Sequence, residues 1–147
     1  MIFSLDLIIK SIASPLAGEF NIPVYASATQ QGAEYPCFFI FIMTGRIRDQ
    51  IDRACLRDIG IDVVYVQERN AVNADLELLQ IGDRLDQLLD TISYTDGTEA
   101  VPLHTHDREQ SIEDQELHYK LYIRQRVSIP ELFPLMMTEE TDVKIKD

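Results

Sequence analysis

The sequence predicts an α+β fold: a mostly antiparallel mixed sheet with two long hairpins packed against two helices. Three patterns carry this prediction. Apolar residues recur at helical spacing over 5–20 and again over 74–93, strand-like segments at 37–44 and 54–66 flank a charged stretch, and apolar and polar residues alternate from 117 to 129.

Composition sets the outer bounds. The chain has 147 residues, enough for one sizeable core, and we expect a single domain over 1–130 followed by a C-terminal arm over 131–147. Apolar residues make up 46% and charged residues 26%, the balance of a chain that folds. Acidic residues number 25 against 13 basic ones, a formal charge of -12 that repels phosphate backbones and anionic lipid. The longest apolar run, PCFFIFIM at 36–43, falls far short of the ~20 residues that span a bilayer. Asp6 and Lys10 interrupt the apolar N-terminus, which therefore reads as a cytosolic helix and not as a signal peptide. Cys37 and Cys55 each lie inside an apolar strand segment, as buried free thiols of a chain in a reducing compartment would.

Over 5–20, Leu5, Ile8, Ile9, Ile12, Leu16 and Phe20 form one stripe with Asp6, Lys10 and Ser14 opposite. Pro15 removes one internal hydrogen bond, so a kink or fraying is expected there, and Gly18 is a plausible end signal. A short strand over 22–28 precedes the polar turn around Gly32. CFFIFIMT at 37–44 is apolar at nearly every position, which suits a central strand covered on both faces. GRIRDQID at 45–52 then forms the exposed tip of a hairpin whose second strand, 54–66, turns Ile59, Ile61, Val63 and Tyr65 to one side. With the turn at 49–52, Cys37 lies opposite the far end of that strand and cannot bond to Cys55.

A second helix is expected over 74–93, capped by Asn73 or Asp75, with Leu76, Leu79, Leu85, Leu88, Leu89 and Ile92 as its buried stripe. The turn signal TDG at 95–97 leads into a second hairpin, 101–113 and 117–129, linked near Asp114. In its last strand Leu117, Tyr119, Leu121, Ile123, Val127 and Ile129 face the core, broken only by Gln125. His118, Lys120, Tyr122, Arg124 and Arg126 face water. Pro130 and Pro134 stop the sheet, leaving Leu132, Phe133, Leu135, Met136 and Met137 as an apolar docking arm without a periodic home.

Candidate chemistry is sparse. His104 and His106 point the same way on a strand, and with Asp107 and His118 they could hold a metal for a small hydrolase. The competing reading is a solvated strand face, and nothing like H-E-x-x-H or paired cysteines supports the metal. Tyr119 and Tyr122 with Lys120, Arg124 and Arg126 resemble a nucleic-acid face, which the net charge disfavours. No phosphate-binding loop, nucleophile elbow or activated cysteine is present, so neither catalytic residues nor cofactors are assigned. The mixed charges of RIRDQIDR, with Arg46, Arg48 and Arg53 among them, suit register-setting contacts between subunits as well as a plain exposed tip.

The order of segments is similar to that of the small tail terminator family of phages and prophages of Gram-positive bacteria. The likeness rests on PVY at 23–25, EYPCFFI at 34–40, LRDIGIDVVY at 56–65, the helix with Leu85 and Leu88, HYKLYI at 118–123 and the methionine-bearing tail. It covers most of the chain, although the 46–52 tip and the HTHDRE segment at 104–109 carry none of it. The resemblance implies a structural protein in a ring, usually hexameric, that sits on the last ring of the tail tube and stops its growth. It also implies a surface for the neck or head. Implied partners are further copies of the chain, the tube protein, and sheath and neck or head-completion proteins, with DNA passing only through the lumen. Such a protein is assembled in the host cytoplasm and ends in a virion or a tail-like particle. Candidate contact residues are Arg46, Ile47, Arg48, Ile51 and Arg53 of the tip and Phe133, Met136 and Met137 of the arm.

Overall fold

The structure, a computed structural model, describes residues 3–26 and 32–128. Six strands and two helices follow in the order α1 (Leu5–Phe20), β1 (Val24–Tyr25), β2 (Cys37–Asp49), β3 (Ala54–Val66), α2 (Ala74–Leu88), β4 (Thr91–Thr95), β5 (Ala100–Glu113) and β6 (Glu116–Ser128). They form an α+β fold in which one mixed sheet, ordered β1-β2-β3-β6-β5-β4, curls into a half-barrel. Only the β1–β2 pairing is parallel.

The two predicted hairpins carry the sheet. β2 runs five residues past its apolar stretch, because the charged 45–49 segment pairs with β3 in register down to Asp49 opposite Cys55. The chain reverses through Asp52 and Arg53, both left-handed, and the Gln50 amide donates to the Ala54 carbonyl at 2.9 Å. Cys37 sits opposite Val66, so the two thiols lie at opposite ends of the hairpin, both free and buried. Burial pushes the Cys37 thiol up to about 11, which leaves it an inert apolar filler at neutral pH. The β5–β6 turn uses Asp114 and Gln115, both at positive φ, the two-residue geometry that matches strand twist.

Alternation sorts the side chains. Phe38 and Ile40 of β2, Ile59, Ile61, Val63 and Tyr65 of β3, and Leu117, Tyr119, Leu121, Ile123 and Val127 of β6 share one core with both helices. A smaller cluster of Cys37, Phe39 and Val64 lies on the outer face against Tyr25, Ala33, Phe41 and Val66. β2 is therefore covered on both sides only over its first four residues. On the edge away from β3 only the two-residue β1 pairs with it among the described residues, so its expected central place holds for its start alone.

Helix α1 has the predicted bounds, and Ile8, Ile12 and Leu16 are fully buried. It continues through Pro15 and past Gly18 to the expected break at Asn21, which is left-handed and whose amide donates to the Ala17 carbonyl at 3.0 Å. Helix α2 differs more from expectation. It stops at Leu88, five residues early, and its buried residues are Leu78, Gly82 and Leu85, while Leu76 and Leu79 are exposed. The helix ends because Thr105 supplies partners for the next carbonyls: its hydroxyl donates to Leu89 at 2.7 Å and its amide to Asp90 at 3.2 Å. The following TISYT is strand β4, with Ile92 and Tyr94 inward. Tyr94 stacks on Phe3 at 5.0 Å and its hydroxyl accepts from the Ser4 amide at 3.0 Å, tying the start of α1 to β4. The TDG turn thus joins β4 to β5, closed by Asp96, whose carboxylate accepts from the amides of Thr98 and Glu99, each at 3.0 Å.

A candidate assembly surface

The tip of the β2–β3 hairpin is built from a strand that has lost its cover. From Met43 to Arg53 every residue is exposed, whereas the facing Ala54, Cys55 and Arg57 of β3 are buried between β2 and β6. Ile47 lies on the helix-covered face, opposite Arg57, and Ile51 stands in the turn itself. Arg46 and Arg48 are on the outer face, opposite Asp58 and Leu56. Arg53 is in the turn at φ 58°.

Sequence reasoning offered all three arginines for contacts with other subunits, and the structure commits one of them at home. Arg48 Nη2 donates to Asp58 at 2.6 Å and Arg124 Nε donates to the same carboxylate at 2.7 Å, so three adjacent strands are stitched through one aspartate. Its two guanidinium partners hold the Asp58 carboxyl below the usual carboxylate range, the hydrogen bond from Arg124 contributing most. Phe133, Met136 and Met137 lie outside the described residues.

Among the described residues Arg57 is the one charged residue of the core, 7% exposed, with its guanidinium carbon 5.8 Å from the centre of the Phe3 ring. Its Nε has no hydrogen-bond partner among the described residues, and burial lowers its pKa from the ordinary arginine value. Such a group tightens the hairpin end only through stacking and packing of its stem.

The three histidines do not converge. His104 is held near Thr91 on β4, and His106 faces its neighbour Asp107 at 2.9 Å. His118 lies four residues along β6 from Tyr122, the cross-strand partner of His106, a separation of roughly 13 Å. His118 Nδ1 instead sits 2.9 Å from Asp62. Among the described residues no group of three or more His, Cys, Asp or Glu is placed to hold a metal ion. The residues proposed for stacking on bases separate as well, since Tyr119 is fully buried and donates to Asp86 at 2.7 Å, leaving Tyr122 alone on the outer face. Among the described residues no helix is long and apolar enough to cross a membrane.

One surface went unnoticed in the sequence. Val72, Leu76 and Leu79 are exposed: Leu76 and Leu79 lie on one side of α2, away from Leu78 and Leu85, and Val72 stands in the turn before the helix, ahead of left-handed Asn73. A count of apolar residues alone cannot distinguish this row from the buried one, which is why Leu76 and Leu79 were read as core.

The fold is a half-barrel sheet backed by two helices, with exposed apolar residues on the projecting hairpin and at the start of α2 among its described surfaces. Comparison with known families gives that fold its identity: the model of the phage tail terminator protein family matches residues 7–132, and the chain belongs to that family. No curated protein matches the sequence. Membership makes the chain a phage tail structural protein that associates with other tail proteins.

Proposed function

We propose that copies of this chain close into a ring, of six, on the last ring of the tail tube, where they stop polymerisation and offer the surface to which neck or head is joined. The observation that carries this reading is the bare hairpin: a β-strand with Ile47 and Ile51 exposed at its end is unfavourable in water and favourable against a partner. Exposed apolar surface on a family member whose task is assembly supports contact between copies. The chain acts without catalysis or cofactor.

Residues 1–130 form the folded unit and 131–147 an arm that carries Phe133, Met136 and Met137 to a neighbour or to the tube. Arg46 and Arg53 orient the tip by charge. The formal charge of -12 suits a lumen through which DNA passes without adhering. The sheath, where the tail is contractile, is a further partner.

Electron microscopy of tails made with and without the chain tests this function: tubes of uncontrolled length that fail to join heads are expected in its absence, and normal tails would overturn it. Truncation after Pro130 should leave a domain with native far-UV circular dichroism that assembles poorly. Wild-type assembly of the truncated form would remove the arm from the contact set. A single-copy mass in solution and on tails alike would favour a monomeric adaptor.

A further inference from the structure

We infer that the hairpin tip of one copy docks on the exposed apolar residues at the start of helix α2 in the next copy, Leu76 and Leu79 of the helix with Val72 of the turn before it. This rests on the ring reading and names the two surfaces that would build it. Both are apolar and open: Ile47 and Ile51 are 45% and 83% exposed, and Val72, Leu76 and Leu79 are 83%, 58% and 52% exposed.

Charge is matched across the pair. At the tip Arg46 and Arg53 balance Asp49 and Asp52, and the adjoining trio of Arg48, Arg124 and Asp58 adds one net positive charge, whereas α2 carries Asp75, Glu77 and Asp83 beyond the pairs that Asp86 and Arg84 make with Arg108 and Glu19. Asp75 and Asp83 border the apolar row and are exposed, and Arg84 is already engaged by Glu19. A net basic tip therefore meets a net acidic helix, an arrangement that fixes orientation and disfavours tip-to-tip pairing.

Geometry selects a second copy as the occupant. The hydroxyl of Tyr65 donates to Glu77 at 2.5 Å, which holds the first turn of α2 at the level of Tyr65, and the tip begins at Cys55 opposite Asp49. Ten residues of β3 separate those levels, roughly 33 Å at ~3.3 Å per residue, so the tip cannot fold back onto its own helix. Two different complementary surfaces at opposite ends of one molecule make a head-to-tail contact, and repeated rotation of such a contact closes a ring.

The test uses the full chain with Ile51→Cys and Leu76→Cys, separately and together, both at exposed positions; Cys37 and Cys55 are buried. Under mild oxidation, at high concentration and in tails isolated from producing cells, the double variant should give a covalent ladder of several copies. Each single variant should stay uncrosslinked at the same concentration. Charge reversal supplies an independent readout: Arg53→Glu and Asp83→Arg should each lower the assembled fraction at least tenfold, and the double variant should restore most of it. Rings of normal mass with neither ladder nor rescue would overturn this interface and leave the ring standing. Absence of any ring from wild-type protein, free or on tails, would overturn both.

Discussion

The two helices were read from the same kind of pattern and met different fates. In α1 the apolar residues occupy one stripe, and the predicted Ile8, Ile12 and Leu16 are all fully buried. In α2 leucines stand on more than one side: Leu78 and Leu85 face the sheet, while Leu76 and Leu79 face outward. Gly82 lies in the buried row, where a Cβ would come within 2.2 Å of the Gln110 side chain, so the sheet meets α2 along 78–82–85. Periodicity thus names the buried face only when one face is apolar. Where two are, the sheet takes one and the other stays exposed.

The sharpest way to break that comparison is to truncate both rows of α2. Leu78→Ala and Leu85→Ala should each destabilise the fold by about 2–5 kcal/mol in denaturant titrations, as buried leucines do. Leu76→Ala and Leu79→Ala should stay within about 0.5 kcal/mol, as exposed substitutions do. Equal losses from both rows would mean that the outer row packs within the monomer.

Smaller effects distinguish how each helix is fastened. Pro15 interrupts α1 without ending it, so Pro15→Ala should stabilise the protein by about 1–3 kcal/mol and raise its melting temperature. A loss would show that the ring of Pro15 is needed where it packs. Helix α2 is fastened by Asp86, which accepts from the buried Tyr119 at 2.7 Å and from Arg108 Nε at 2.9 Å. Asp86→Ala strands the tyrosine hydroxyl and should cost about 1–3 kcal/mol, whereas Tyr119→Phe combined with it should recover part of that loss.

Acid gives the mildest test. The hydrogen bond from Tyr119, and then that from Arg108, hold the Asp86 carboxyl below its ordinary value. A carboxyl depressed in the folded state adds stability above its unfolded pKa and loses it only as pH falls through the folded value. Stability should therefore be flat from neutral pH down to about 4 and decline below it. Asp86→Asn should lessen that decline; an unchanged acid profile would show that Asp86 is not coupled to folding.

Much of the architecture was legible because local physics dictates it. The bounds of α1 and β3, the register that separates Cys37 from Cys55, and the inward row of β6 follow from periods of 3.6 and 2 with polar turns between them. The tip was legible too, since GRIRDQID is too charged to be covered. Strand β4 was hidden because Leu88, Leu89 and Ile92 also fit a continuing helix, and only the alternation of Ile92 with Tyr94 argued for a strand. Of the candidate contact residues, Ile47, Ile51, Arg46 and Arg53 stand at the exposed tip, while Arg48 is held by Asp58, 10 residues on, across the paired strands β2 and β3.

The sequence by itself determined α1, β3 and the two hairpins, because each rests on a period repeated among neighbours within a few residues. Tertiary structure decided where α2 ends, which of its leucine rows is buried and which arginine of the tip is engaged within the fold. Those outcomes depend on Thr105, on the close approach at Gly82 and on Asp58, groups brought together only when distant strands pair.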